Sequence, residues 1–145
     1  MLHHRLRAVT LRAVTTASGS VIIGPTSIAG GYSHSLALKD DGTVVAWGYD
    51  GNGQSSVPGG LTDVVQVAAG YQHSLAVKDD GTVVAWGYDG QGQSTVPAGL
   101  TDVVQVAGGR YHSLALKDDG TVVAWGQNNY GQSSVPSGLV AYVPA

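Results

Sequence analysis

The sequence predicts an all-β protein made of β-propeller blades, and three observations predict it. The stretch His34-Ser35-Leu36-Ala37-Leu38-Lys39-Asp40-Asp41-Gly42-Thr43-Val44-Val45-Ala46-Trp47-Gly48 returns as His73 to Gly87 and as His112 to Gly126, a fixed step of 39 residues. A fixed period in this range marks one supersecondary unit stacked several times. Within each copy the apolar pattern has period 2, the signature of a strand. No stretch carries a helical apolar stripe bounded by capping residues.

The first unit justifies its elements in order. His34, Leu36 and Leu38 point to one side of an extended run, and Ser35, Ala37 and Lys39 to the other. Asp40-Asp41-Gly42-Thr43 is a hairpin tip, since Asp tolerates turn geometry and Gly supplies the positive φ of a tight turn. Val44 to Trp47 is β-branched and aromatic and returns antiparallel. A glycine-rich loop from Gly48 to Gln54 follows, then a short extended run, Ser55 to Pro58, which Pro58 limits to a sheet edge. Val64-Val65-Gln66-Val67-Ala68 is mostly apolar and reads as a strand buried on both faces, feeding the next hairpin. Three strong strands and one weak strand per unit make the antiparallel blade of a propeller.

The string Gly-Tyr-x-His-Ser-Leu-Ala-(Leu/Val)-Lys-x-Asp-Gly-Thr-Val-x-Ala-Trp-Gly-x-x-x-x-Gly-Gln spans Gly31 to Gln54, Gly70 to Gln93 and, with Arg110 in the Tyr slot, Gly109 to Gln132. It resembles the repeat of the regulator of chromosome condensation family. The tail Gly-Gln-Ser-(Ser/Thr)-Val-Pro looks closest to bacterial members of that superfamily, which include propeller-type β-lactamase inhibitory proteins. The resemblance implies a propeller that closes with seven blades, whereas this sequence holds three units. It also brings in guanine-nucleotide exchange and enzyme inhibition as activities of separate branches, although no motif here assigns the chain to the exchange branch. Three blades fall short of the roughly four to eight that close a ring. The blades at either end would expose sheet faces suited to association. The expected architecture is therefore an incomplete propeller, or one completed in a homo-oligomer.

Composition supports this reading. The 145 residues contain 22 glycines, ten aspartates, no glutamate, no phenylalanine and no cysteine, so neither a disulfide frame nor a thiolate metal site is available. Residues 1–31 hold Arg5, Arg7 and Arg12 with no acid, while the rest holds four cations against ten aspartates, a net of −6. An acidic repeat body argues against a phosphate-backbone binder, so no nucleic acid is expected. No run approaches the ~18 apolar residues of a membrane span. Residues 1–20 read as a basic, disordered leader. It resembles a secretion signal's n-region, except that Arg12 interrupts the apolar run that should follow, so a secreted location is left open. The repeat domain is placed at 21–145, with units at about 28–66, 67–105 and 106–143. Residues 21–30 enter with the feeding strand of the first unit, altered by Pro25, and Leu139 to Val143 open a fourth.

Candidate sites divide into scaffold and display. His34, His73, His112, Trp47, Trp86 and Trp125 repeat with the scaffold and read as structural. A metal held by the three histidines is disfavoured by the single ligand type per unit; a buried His bonded to backbone is the preferred reading. His34 and Ser35 face opposite sides of one strand and cannot form a nucleophile–base pair, so no catalytic residue is expected. Asp50-Gly51-Asn52-Gly53-Gln54 faintly resembles a calcium loop, but the third copy replaces the carboxylate with Asn128 and reads as a turn. No cofactor is indicated. What varies between copies lies in two loops. One holds Tyr32 and Ser33, Tyr71 and Gln72, and Arg110 and Tyr111. The other holds Tyr49 and Asn52, Tyr88 and Gln91, and Gln127 and Tyr130. Tyr and Arg are enriched where proteins bind proteins, and loops on a rigid scaffold are the usual place for recognition. The expected function is a non-catalytic module that binds a protein partner through these residues. A structural, self-assembling module is the alternative.

Overall fold

A computed structural model describes residues 27–144. The basic leader and the Pro25 segment lie outside the described residues. Among the described residues the fold is all-β, with nine short strands in three separate antiparallel sheets. Strands β1 (Ile28–Gly30), β2 (His34–Leu38) and β3 (Val44–Gly48) form the first blade. β4 (Val64–Ala69), β5 (His73–Lys78) and β6 (Val83–Gly87) form the second, and β7 (Val103–Gly108), β8 (His112–Lys117) and β9 (Val122–Gly126) the third. Register repeats with sequence: Leu36 faces Ala46, Leu75 faces Ala85 and Leu114 faces Ala124. The hairpin tip forms as its residues dictate. Gly42 takes φ 84°, and the Asp41 carboxylate accepts from the Thr43 amide at 3.0 Å and its hydroxyl at 2.6 Å.

The weak fourth strand does not form. Among the described residues each sheet has three strands, and Ser55 to Pro58 with its copies is turn and coil. Two forces bend the segment back. Pro58 has no N–H to give a ladder. Ahead of it, Asp50 accepts from the Ser55 amide at 2.8 Å and the Ser56 hydroxyl at 2.6 Å, folding the run onto its own loop. Asn128 caps the third copy in the same way, accepting from the Ser133 amide and donating to the Ser134 hydroxyl.

The core lies between blades. One apolar cluster joins Leu36 and Val44 of the first unit to Val64, Val67, Ala76 and Trp86 of the second, and another joins Leu75 and Val77 to Val103, Val106, Ala115 and Trp125. The inner strands β1, β4 and β7 run side by side. Each hairpin tip reaches the start of the next inner strand, with Val64 N–H donating to Gly42 O and Val103 N–H to Gly81 O, both at 3.0 Å. The Gln66 amide pairs with the next inner strand much as a peptide group would. It donates to Val106 O at 3.1 Å and accepts from Val106 N–H at 2.8 Å. The middle blade has a neighbour on both sides, so β5 is buried along almost its whole length. Strand β4 is buried on both faces over Val64 to Val67, as its apolar run implies, whereas β7 buries only Val103 and Val106 and leaves Gln105 exposed. After Gly138, Ala141 N–H bonds Gly120 O at 2.9 Å, repeating the tip contact, but residues 140–144 form no strand.

Candidate functional site

Two constellations stand out: a buried seam between blades and an exposed ladder on the loops beside it. The seam begins with glycine. A Cβ on Gly31 or Gly70 would collide with the ring of His34 or His73, so glycine lets the imidazole lie against the backbone. From there His34 Nε2 reaches Ser74 Oγ of the next blade at 3.0 Å, and His73 Nε2 reaches Ser113 Oγ at 2.9 Å. Each serine hydroxyl donates in turn to a loop carbonyl, Ser74 to Gln54 O at 2.9 Å and Ser113 to Gln93 O at 2.8 Å. The same carbonyls accept the indole N–H of Trp86 and Trp125, each at 3.0 Å. Because the serine's one proton goes to a carbonyl, Nε2 must supply the proton of the His–Ser bond. Nδ1 of His34 and His73 is then an unprotonated, buried atom without a partner.

Each of these histidines meets a hydroxyl of the next blade, and the backbone of the next histidine also acts on its ring. The seam thus places His and Ser in hydrogen-bond contact across two blades, a pairing that adjacency along one strand forbids. The polarity is opposite to that of general-base activation, in which imidazole accepts the serine proton. Burial lowers the pKa of both rings. His73 falls from 6.5 to about 4, driven by burial and then by the neighbouring histidines. His112 has no following serine among the described residues and is half-buried. Trp47 is 53% exposed, whereas Trp86 and Trp125 are 8% exposed.

The ladder is built from the turn that joins the inner strand to the middle strand of each blade. Tyr32 N–H donates to Tyr71 O and Tyr71 N–H to Gly109 O, each at 3.2 Å, so the turns are tied in a row. Their side chains follow. The Tyr32 and Tyr71 rings lie 4.2 Å apart, and Tyr71 and Tyr111 meet edge-on at 6.1 Å. The Arg110 guanidinium sits 4.8 Å from the Tyr71 centroid and 5.1 Å from that of Tyr111. Tyr88 extends the row to Tyr111 at 6.3 Å. Burial and then the Tyr32 hydroxyl push the Tyr71 phenol pKa up, and the Tyr111 hydroxyl does most to raise that of Arg110.

Beside Tyr32 opens a cleft of about 270 Å3 lined by Tyr32, Ser33, Tyr49, Gln54 and Gln72. Tyr49 folds back over Gly51 and Tyr88 over Gly90, where a Cβ would strike the phenol. The third unit, with Gln127 in place of tyrosine, carries Asn129 at that glycine position.

The structure thus brings together Tyr32, Ser33, Tyr49 and Gln72 in the cleft, and Tyr32, Tyr71, Arg110, Tyr111 and Tyr88 in the ladder. Asn52, Gln91 and Tyr130 stand apart at loop tips, their amides bonded to the side-chain oxygens of Gln54, Gln93 and Gln132. Gln127 turns toward Gln132, accepting from its Nε2 at 3.2 Å. Sequence reasoning missed Gln54 as a cleft residue and Ser74 and Ser113 as seam residues. All three sit in invariant parts of the repeat, where sameness reads as scaffold.

Blades joined at repeated seams, with an aromatic–cationic ladder across them, define a β-propeller repeat protein. The regulator of chromosome condensation (RCC1) repeat model matches residues 26–54, 64–93 and 103–132, and the chain belongs to that family. No curated protein matches it significantly. Among solved structures, Prp20p of Saccharomyces cerevisiae, described with its binding properties to Gsp1p and histones, aligns at 27% identity and TM-score 0.64, covering 76% of this chain and 32% of that one. Human WBSCR16 aligns at 26% identity and TM-score 0.64, covering 83% and 39%. The ectodomain of the Physcomitrella patens receptor kinase CR4 aligns at 28% and 0.61, covering 74% and 30%. The chain spans between three and four tenths of the length of these structures.

Proposed function

We propose that this chain is a non-catalytic, protein-binding module whose partner engages the loop face carrying Tyr32, Tyr71, Arg110 and Tyr111. The observation that carries this reading is the ladder. Side chains of a loop that varies between copies meet in one row across three blades, while the strands beneath them barely change. Tyr32 and Arg110 are exposed and Tyr71 and Tyr111 half-buried; Tyr and Arg held on a rigid base lose little freedom on binding and are the residue types found at hot spots. Repeats of this family commonly mediate protein binding or nucleotide exchange, and a neighbour is described with its binding to Gsp1p and histones, which supports a protein partner. The test is capture of a partner on immobilised protein, then repetition with Tyr32, Tyr71, Arg110 and Tyr111 changed to Ala. Loss of the partner with the fold intact supports the reading. Loss only on substituting Lys39 or Lys78, at the opposite ends of the middle strands, would refute it.

A second reading, a self-assembling module, is favoured by one contrast. Trp47 and Gln105 lie exposed while their copies Trp86 and Gln66 are buried in seams. Absolute mass in solution separates the two: a defined oligomer supports assembly between chains, and a monomer removes it.

A further inference from the structure

Resting on the binding reading, we infer that the ladder recognises an extended segment of a partner protein by two side chains, a carboxylate on Arg110 and, two residues away on the same face, an aromatic ring in the cleft beside Tyr32. Charge placement points to the carboxylate. Lys39, Lys78 and Lys117 all sit at hairpin tips, together with Asp40, Asp41, Asp79, Asp80, Asp118 and Asp119. Asp63 and Asp102 start the inner strands at that same end. Arg110 lies at the other end of the strands, and the groups that act on it are Tyr111, Tyr71 and Tyr32, with no carboxylate among them. The acids nearest that end, Asp50 and Asp89, are bound into their own loops by Ser55 and Ser56 and by Ser94 and Thr95. The Tyr111 hydroxyl engages part of the guanidinium, and of its five N–H donors the others can grip a carboxylate. The described body nonetheless carries ten Asp against four cations, so a polyanion would meet a far stronger repulsion than a single carboxylate on Arg110.

Size and spacing argue for the second contact. A cleft of about 270 Å3 lies below the roughly 300–1,000 Å3 of small-molecule sites and suits one side chain. Its tyrosines offer faces for offset ring stacking. From Arg110 to Tyr71 is 4.8 Å and from Tyr71 to Tyr32 is 4.2 Å, so acid and ring sites are separated by no more than about 9 Å plus the depth of the cleft. Same-face side chains of an extended chain repeat about every 7 Å. The turn amides of Tyr32 and Tyr71 are already bonded to neighbouring carbonyls, so the segment is read by side chains and not by strand addition.

The test uses fluorescence anisotropy with the full chain and a labelled, capped peptide, Glu-Ser-Phe-Ser-Glu-Ser-Phe, against a glutamine-for-glutamate copy and an alanine-for-phenylalanine copy. The glutamate peptide is expected to bind about tenfold more tightly than the glutamine peptide at low salt, with the difference shrinking as salt rises. The variant Arg110→Tyr carries the residue that the other two units hold in this slot, so it keeps the aromatic row. It should bind both peptides equally. Tyr32→Ala should abolish the advantage of phenylalanine over alanine. Equal binding of both peptides to the unaltered chain, a preference that survives Arg110→Tyr, or no binding of any peptide would each overturn the inference. Binding that depends on Tyr32 but not on charge would remove the carboxylate contact and leave the binding-module reading standing. Partner capture that ignores the tyrosines would instead remove that reading.

Discussion

At the scale of single residues, the seam histidines make the fold sensitive to acid. In the neutral ring Nε2 donates to serine and Nδ1 is bare. Protonation adds an N–H at Nδ1, a buried atom without a hydrogen-bond partner, and a charge that burial disfavours. The native pKa of His73, about 4, lies below the ordinary 6.5, so between those values the unfolded chain binds more protons than the native one. Stability is therefore unchanged above about pH 6.5 and falls as pH drops toward 4, by about 3 kcal/mol for this residue. Urea denaturation across that range checks it, and His73→Gln should flatten the profile. Glycine positions give a second, internally controlled prediction. Gly70→Ala sets a Cβ against the His73 ring and 2.5 Å from Gly109 O, and should cost about 1–3 kcal/mol. Gly59→Ala meets nothing within 4 Å, and the second unit already has Ala98 there, so it should change stability by no more than about 0.5 kcal/mol.

At the scale of strands and loops, Gln66 joins one inner strand to the next. Gln66→Ala strands the N–H and C=O of Val106 between blades, and a loss of about 2–3 kcal/mol is expected. Gln105→Ala removes the same residue from an exposed position and should be near neutral. Chemical denaturation of the pair measures the value of the seam against its uncovered copy. Legibility from sequence divides along the same line. The hairpins were legible, because Asp-Gly tips and period-2 runs are local signals, and three of the four expected strands per unit form. The fourth fails because Asp50 turns the chain toward itself, a side-chain choice that an extended-looking Ser-Ser-Val-Pro run does not reveal. The varying loops were visible as differences between copies, and most of those residues gather in the cleft or the ladder. The His–Ser pairs were not visible. Residues 40 apart meet only once blades stack, and a 39-residue period says what repeats without saying which neighbour each side chain faces.

At the scale of the whole molecule, the blades are alike in sequence and unequal in environment. Trp86 and Trp125 are held by carbonyls of the preceding unit, while Trp47 is half exposed. In a variant with Trp86→Phe and Trp125→Phe, the remaining Trp47 should be quenched by acrylamide several-fold more efficiently than either buried tryptophan examined alone. Protection of Trp47 that grows with protein concentration would favour assembly between copies. The seam has a further consequence for ancestry. Its parts are drawn from consecutive units at a constant offset, so copying any 39-residue window, wherever the cut falls, adds one blade and one matching joint without altering those already present. Such a gene can lengthen or shorten by unequal recombination and still encode compatible neighbours. Inheritance then constrains the joint between blades more tightly than the number of blades.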